Sequence, residues 1–127
     1  MPIEFINPDA IHQPTGYTHV AKVGNHVLIA GQVAIDRSGE VVGIGDIEAQ
    51  TSQALANLDE AIRAAGGTRK DIAAIRVYMI NRDDLPGMQA ARGDFWETPP
   101  ASTLLFISGL VLPELLIEIE AVAVIDA

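Results

Sequence analysis

The chain has 127 residues and a mass of 13.5 kDa, the size of a single domain with its own core. Its 17 Asp and Glu residues outnumber eight Lys and Arg residues, and the net charge of −9 repels phosphate backbones, which disfavours nucleic acid as a partner. The absence of cysteine excludes a disulfide framework, a thiolate nucleophile and a cysteine metal ligand, and it fits a reducing compartment.

The composition is apolar for a soluble chain of this size, with 49% hydrophobic residues, 20% charged residues and a mean hydropathy of +0.25. We expect part of this apolar surface to be buried between subunits. No stretch offers about 18 uninterrupted apolar residues, and the N-terminus lacks the basic and apolar regions of a signal peptide. A cytoplasmic protein without a membrane partner is therefore expected.

The first third of the chain predicts short strands and turns. After a short apolar piece at Ile3–Ile6, strands are predicted at His19–Val23 and His26–Ala30. Gly24-Asn25 suits a tight hairpin turn, because both residues tolerate positive φ. A loop of turn-forming residues ends at Tyr17, whose side chain can project into a site. Gly31 and Gln32 interrupt the apolar run, and a glycine inside a strand indicates a bulge or a close backbone approach that would suit a ligand pocket.

The middle of the chain predicts a helix, a strand and a second helix. The first helix is predicted from Asp46 to Ala65, with Asp46 as its N-cap, an apolar stripe on one side and Gly66-Gly67 as its stop. A strand over Ile72–Ile80 follows, so this helix should cross over between two parallel strands and cover one face of the sheet. The second helix is predicted over Leu85–Trp96.

The C-terminal stretch combines strongly β-prone residues with charges in unusual places. Apolar runs over Ser102–Leu112 and Leu115–Ile125 flank a Pro113-Glu114 corner and predict two strands. In the second run, alternation places Glu118 and Glu120 on the same face. Burying an unpaired carboxylate costs several kcal/mol, so these glutamates must reach water, a partner or a ligand.

This order of elements predicts one domain over residues 1–127, an α+β two-layer sandwich in which two helices cover one face of a mixed sheet. Nothing in the sequence is left to cover the other face, where Val122, Val124 and Leu104 are expected to be partly exposed. Packing sheet against sheet around a symmetry axis would bury these side chains.

Three familiar kinds of site are disfavoured. His12, His19 and His26 lie at seven-residue intervals, which fits no standard metal-ligand motif, so they are interpreted as ordinary surface or hairpin histidines. The serines lack a nucleophile-elbow sequence, and Gly43-Ile44-Gly45 lacks the third glycine and the lysine of phosphate-binding loops. We therefore expect neither a metal nor another cofactor.

The remaining candidates for chemistry are Glu118 with Glu120, Gln32 and Tyr17. A carboxylate near apolar walls can have a raised pKa and activate water, while a phenol or amide beside it orients a polar substrate. This combination predicts general acid/base chemistry on a small neutral molecule. The alternative interpretation is that the glutamates are solvated at a strand end or paired with Arg76 or Arg92.

Seven short segments carry a resemblance to a known protein family: Thr15-Gly16-Tyr17, Ala30-Gly31-Gln32, Asn57-Leu58, Ala64-Ala65-Gly66-Gly67, Asp71-Ile72, Pro100-Ala101 and Ile117–Val124. With them the sequence resembles the RidA/YjgF family of reactive-imine deaminases over essentially its whole length, and the last segment is the most specific. The resemblance implies a chorismate-mutase-like α+β fold and a homotrimer with ligand clefts between subunits.

The resemblance also implies roles for single residues. In deaminating members, an arginine directly after the Pro-Ala pair grips the carboxylate of a 2-imino acid, and the first glutamate of the closing strand, here Glu118, helps to position the hydrolytic water. The arginine position is Ser102, and Leu104 stands where many members carry a cysteine. A serine replaces neither the charge nor the fork of a guanidinium. The chain therefore resembles an arginine-lacking branch, in which Arg76 or Arg92 is left as a possible substitute.

The leading hypothesis is a trimeric hydrolase or deaminase that acts in intersubunit clefts on a small imine, enamine or related C–N metabolite, with Glu118 as the catalytic residue. The residues expected to bind or orient this substrate are Tyr17, Gly31, Gln32, Ser102 and Leu104. The alternative hypothesis is a non-catalytic module that uses the same clefts to bind a small molecule or a partner protein.

Overall fold

The fold consists of six strands and two α-helices, described over residues 2–125 in a computed structural model. The elements in chain order are β1 (Glu4–Ile6), β2 (Val20–Val23), β3 (His26–Gln32), α1 (Ile47–Ala64), β4 (Ile72–Met79), α2 (Leu85–Arg92), β5 (Ala101–Phe106) and β6 (Ile117–Val124). Each predicted strand and helix is present, although several ends differ from the prediction.

The strands form one mixed sheet in the order β1-β2-β3-β6-β4-β5. Only β4 and β5 pair in parallel, and all other neighbours are antiparallel. Because β3 and β4 both run antiparallel to β6, they run parallel to each other, and α1 joins them in the predicted crossover. The predicted α+β architecture with a mixed sheet is confirmed.

The ends of α1 follow from its sequence. The Asp46 side chain accepts a hydrogen bond from the Ala49 N–H at 3.1 Å, which satisfies one of the free donors of the first turn. After the helix, Gly66 takes a φ of +93°, a conformation that favours glycine. The inner face includes Leu58 and Ile62, both 0% exposed, so α1 carries much of the core.

The second helix, α2, is shorter than predicted. Pro86 lies in its first turn, where its missing N–H is not needed. The helix ends at Arg92 because Gly93 takes a φ of +46° and turns the chain away. Phe95 and Trp96 therefore lie in the following loop and pack against the core from there. No helix within residues 2–125 has both the length and the apolar character that a membrane span requires.

The sheet has a helix-covered face and an open face, as β6 illustrates. The β6 side chains on the helix-covered face are all buried: Ile117, Ile119, Ala121 and Ala123. Those on the open face are half-buried or exposed: Glu118, Glu120, Val122 and Val124. The predicted separation of the two glutamates from the apolar residues of this strand is confirmed.

The edge strand β5 takes its faces from its register with β4. Leu104 pairs with Val77 and lies on the helix-covered face, where it packs against the core. Leu105 pairs with Tyr78 and is 48% exposed on the open face. The expectation that Leu104 lies on the uncovered face is therefore wrong, because the register of β5 places Leu104 beside the buried Val77.

The apolar run predicted as a strand over Ser102–Leu112 is only half a strand. It leaves the sheet after Phe106, and a loop over residues 107–116 follows. Gln50 of α1, which is 0% exposed, fixes the end of this loop: its Nε2 donates to the Glu114 carbonyl and its Oε1 accepts from the Leu116 N–H, both at 2.8 Å. Side-chain hydrogen bonds thus replace the pairing that a strand would supply.

Candidate functional site

A β-bulge forms the floor of the candidate site. From Ile29 to Gln32, β3 advances three residues while its partner β6 advances two. The extra residue makes a bulge at Gly31. A Cβ built on Gly31 would lie 2.5 Å from Cδ of Glu118, so only glycine allows this approach. Both interpretations of the strand glycine, a bulge and a close contact, are confirmed.

Glu118 is a half-buried carboxylate on the open face of β6. Burial disfavours its charged form and raises its pKa above the ordinary 4.5, and the charge of Glu120 raises the pKa further. Within residues 2–125, the ion pairs do not include Glu118, so neither Arg76 nor Arg92 neutralises it. The group keeps its capacity to take up a proton.

Tyr17 places a phenol within the electrostatic reach of Glu118. Burial and then the charge of Glu118 raise the pKa of Tyr17 above its ordinary 10.0, so the hydroxyl keeps its proton at neutral pH. The hydroxyl lies 3.1 Å from Nε2 of His12, and the ring meets His19 edge to face. Because 47% of the residue is exposed, the phenol is accessible to a bound molecule.

A buried network holds the residues behind Tyr17. The Gln32 amide nitrogen donates to the Ala30 carbonyl at 3.1 Å and lies 3.1 Å from Nδ1 of His19. Since that nitrogen is a donor, Nδ1 must accept, and His19 carries its proton on Nε2, which donates to the His12 carbonyl at 2.9 Å. The structure thus places the Gln32 side chain, 0% exposed, in this network.

Two of the three histidines are buried, contrary to the surface interpretation. His12 is 9% exposed and His19 is 1% exposed, whereas His26 in the hairpin is exposed. Burial and then the charge of His19 lower the pKa of His12, while Asp36 opposes the shift, so we expect a neutral imidazole at pH 7. Across residues 2–125 there is no group of three or more His, Asp or Glu side chains placed to hold a metal ion.

Glu120, the second glutamate of β6, is occupied by neighbours on the open face. The Tyr78 hydroxyl donates a short hydrogen bond to Oε1 of Glu120. The same oxygen lies 3.7 Å from Nη1 of Arg76. The alternative interpretation, in which a glutamate pairs with an arginine, therefore describes Glu120 and leaves Glu118 as the chemically available carboxylate.

Ser102 and Leu104 do not meet Glu118 within one chain. Ser102 pairs with Ile75 of β4 and therefore faces the helices, as Leu104 does, whereas Glu118 faces the open side. The sheet itself separates these groups. The structure brings together Tyr17, Gly31 and Glu118 on one side and Ser102 with Leu104 on the other.

The residues beside Ser102 were not all foreseen. A cavity on the helix-covered face is lined by Ser102 and Leu104 together with Arg92 and Trp96. Trp96 is the only tryptophan of the chain and precedes a Pro-Pro pair, which is the signal that could have drawn attention to it. His12 was also not linked to Tyr17, although the two lie five positions apart in one short loop.

Comparisons with known proteins decide the family. The sequence profile described as Endoribonuclease L-PSP matches residues 7–125, nearly the whole chain. The chain belongs to this family, that of RidA and YjgF. A RutC family protein of Pyrococcus horikoshii is 37% identical over 94% of this chain and 96% of its own length. The 3-aminoacrylate deaminase RutC of Acinetobacter baylyi is 32% identical over 97% of this chain and 98% of its own length.

The fold of this RidA/YjgF-family protein also matches a solved structure. The crystal structure of the YjgF gene product from E. coli has a TM-score of 0.88 and 28% sequence identity, over 95% of this chain and 98% of that one. The RidA-like fold that the resemblance implies is therefore confirmed.

Proposed function

We propose that this protein is a hydrolase that deaminates a small imine, enamine or related C–N metabolite, with Glu118 as its catalytic residue. The observation that carries the proposal is the half-buried Glu118 carboxylate, which lies against Gly31, forms no ion pair within residues 2–125 and has a raised pKa. Such a group can take a proton from water and return it within one cycle. The name of the Acinetobacter relative, a 3-aminoacrylate deaminase, supports the same reaction class.

The proposed reaction consumes one water and releases ammonia. The water oxygen bonds to the imine carbon while Glu118 accepts a proton from the water and passes it to the imine nitrogen. The resulting carbinolamine breaks its C–N bond, its hydroxyl loses a proton to the leaving nitrogen, and ammonia and a carbonyl compound depart. An enamine first takes a proton on carbon and loses one from nitrogen, which gives the imine. Tyr17, which is neutral, orients the substrate by donating its O–H.

We place this reaction in clefts between the subunits of a homotrimer. One row of small or apolar side chains crosses the open face from edge to edge: Phe5, Ala21, Leu28, Val122, Ala74 and Ala101. Burying such a row against other subunits stabilises an assembly. Within one chain the sheet separates Ser102 from Glu118. In the proposed cleft, Ser102 of one protomer would face Glu118 of its partner.

A small metabolite is proposed as the partner, although the family description names an endoribonuclease. The net charge of −9 opposes the approach of an RNA backbone. The open face adds Glu118 and Glu120 to that negative field, with Arg76 already 3.7 Å from Glu120. RNA is therefore not part of the proposal.

The test is ammonia release from 3-aminoacrylate and from 2-iminobutanoate generated in situ, with the spontaneous rate subtracted. We expect the wild type to accelerate release. The Glu118→Gln variant should lower kcat by about 100-fold or more, the range that general acid/base catalysis contributes.

Glu120→Gln is the matched control, because this neighbour lies on the same face and its amide oxygen can still accept from Tyr78. We expect the control to keep most of its activity. Full activity of Glu118→Gln on a substrate that the wild type turns over would remove Glu118 from the mechanism.

The second candidate function is a non-catalytic binding module that uses the same clefts. It is favoured by Ser102, which stands where deaminating members carry an arginine. Unchanged ligand recovered after prolonged incubation with the wild type would support binding alone. Ammonia release above the spontaneous rate would exclude a purely binding role.

A further inference from the structure

The loop that carries Tyr17 is tied down through two buried histidines. Nε2 of His19 donates to the His12 carbonyl at 2.9 Å, and the backbone N–H of His19 donates to Oδ1 of Asn7 at the same distance. The two imidazole rings meet edge to face, with their centroids 4.9 Å apart. The His12 ring is thereby held beside Tyr17, whose hydroxyl lies 3.1 Å from its Nε2.

The hydrogen bond between His12 and Tyr17 has two possible directions. The phenol O–H can donate to Nε2, or a proton on Nε2 can be donated to the phenol oxygen. A neutral imidazole carries its proton on one nitrogen only, and the surroundings of the other nitrogen influence which one it is. The environment of Nδ1 of His12 therefore bears on what the Tyr17 hydroxyl offers to a ligand.

Nδ1 of His12 is buried and has no hydrogen-bond partner within residues 2–125. A proton on Nδ1 would be a buried donor without an acceptor, which is unfavourable, and buried N–H groups are left unpaired more rarely than buried acceptors. The proton is therefore favoured on Nε2. From this nitrogen it is donated to the oxygen of Tyr17, and the phenol O–H remains free.

The charge of Glu118 favours the same direction. It acts on Tyr17, whose pKa is raised by burial and then by this carboxylate, whereas the charges that act on the pKa of His12 are those of His19 and Asp36. A negative charge attracts the hydrogen of a hydroxyl, so an O–H directed toward Glu118 is favoured over one directed toward His12. Since Tyr17 is 47% exposed, a bound molecule can reach this O–H.

We infer that His12 is a positioning residue, which fixes Tyr17 as a hydrogen-bond donor toward a molecule bound beside Glu118. The imidazole N–H occupies a lone pair of the phenol oxygen and leaves the O–H for an acceptor atom of that molecule. A tyrosine without such a neighbour can rotate its hydroxyl and present a donor or an acceptor. The inference rests on the proposed function for the chemistry at Glu118, but the direction of the hydrogen bond needs no reaction.

The direction of the bond can be measured without a substrate. Nitrogen-15 spectra of the full-length protein, labelled in the histidine rings, distinguish a protonated from an unprotonated ring nitrogen. At about pH 8 even an ordinary imidazole is neutral, so each ring carries one proton. The signals of His12 are those lost in His12→Gln. We expect its proton on Nε2, and a proton on Nδ1, or one shared between both nitrogens, would overturn the inference.

Kinetics then test whether His12 acts through Tyr17. In the ammonia-release assay, His12→Leu should lower kcat/KM by about tenfold, the effect of one lost hydrogen bond. His12→Gln can still donate from its amide and should keep most of the wild-type value. When Tyr17 is already replaced by Phe, adding His12→Leu should have no further effect, because the hydroxyl that His12 directs is absent. An equal loss in both backgrounds would mean a merely structural role and would overturn the inference.

His26→Leu is the control, because it removes a histidine from an exposed hairpin outside this loop. Its kcat and KM should equal those of the wild type, and circular dichroism checks that every variant is folded. The proposed function can fail separately. A protein that releases no ammonia but carries the His12 proton on Nε2 would keep the direction of the bond and remove the deaminase. Ammonia release that is unaltered in His12→Leu would do the reverse.

Discussion

Glu118 occupies a position that favours its protonated form. Its pKa in the folded protein is raised above the ordinary 4.5, first by burial and then by Glu120. The favourable contribution of such a group to stability is complete below the ordinary pKa and is lost as pH rises through the raised pKa. At pH 7 the ionised Glu118 side chain therefore lowers the free energy of unfolding. A side chain that is unfavourable for stability is typical of a residue that serves the reaction.

Replacing this carboxylate should consequently stabilise the fold. We expect Glu118→Gln to have a higher Tm than the wild type at pH 7, because the amide has no charge to desolvate and does not repel Glu120. The difference should shrink to near zero below about pH 4, where the wild-type side chain is protonated as well. Thermal unfolding followed by circular dichroism at both pH values measures it.

Glu60→Gln on the exposed side of α1 serves as the control and should show no comparable gain. If Glu118→Gln is less stable than the wild type at pH 7, then contacts of the charged form outweigh its burial.

At the scale of elements, α1 packs against the rest of the fold through buried polar side chains as well as apolar ones. Its buried side chains include Gln50, Thr51 and Asn57 among the leucines and alanines. The Asn57 amide donates to the carbonyls of Val33 and Ile35, both at 3.0 Å. The helix thereby satisfies backbone groups of the irregular chain that leaves β3, which no strand pairing satisfies.

Removing this amide should be costly. Asn57→Ala removes the amide donor of the Ile35 carbonyl and one of two donors of the Val33 carbonyl, which also accepts from the Ile35 N–H at 2.9 Å. We expect it to lower the free energy of unfolding by about 2 kcal/mol. Urea unfolding monitored by circular dichroism gives the value. Ser52→Ala, on the exposed side of the same helix, should change stability by less than about 0.5 kcal/mol. Equal stability of Asn57→Ala and the wild type would mean that water replaces the amide.

The positions of the elements could be predicted from periodicity, but their ends and faces could not all be predicted. The cap at Asp46 and the alternation of β6 are local signals, and the structure confirms both. The faces of β5 depend on its register with β4, a tertiary property, and this is why Leu104 was assigned to the wrong side. The polar residues on the inner face of α1 were missed because an apolar stripe does not report buried amides.

At the scale of the whole molecule, the open face explains the apolar composition of the chain. Leu28 is 51% exposed and Leu105 is 48% exposed on this face, whereas the helix-covered face is closed by the core. A face of this kind is typical of a surface buried between subunits. The proposed trimer would use it.

The proposed assembly can be tested by introducing one charge. Leu28→Glu lies in the middle strands of the apolar row, and burying its carboxylate between subunits would be unfavourable. We expect light scattering to give about three times the 13.5 kDa chain mass for the wild type and the single-chain mass for the variant. Ile44→Glu, at a 70% exposed position outside the sheet, should keep the wild-type mass. A wild-type mass near 13.5 kDa at micromolar concentration would contradict the trimer.

The residues of the candidate site that stand out in their local sequence could be predicted. Gly31 was marked by a glycine inside a strand, and Glu118 by a charge in an apolar strand. The contact between Arg76 and Glu120 could not be selected from the sequence, because it depends on the register of β4 with β6. These properties arise from packing between elements rather than from any local pattern.

Because of the bulge at Gly31, the number of residues in β3 decides which of its side chains face the helices. Ile29 and Gln32 both face the helices, although strict alternation would send residues three apart to opposite sides. Because of the extra residue, the side chains that follow the bulge face the opposite side of the sheet from the one that strict alternation would give. Deleting Ala30 would restore simple alternation and keep Gln32 on the same face as Ile29, so the expected loss is the bulge and its close approach to Glu118, whereas a change of side chain at position 30 would leave the bulge intact.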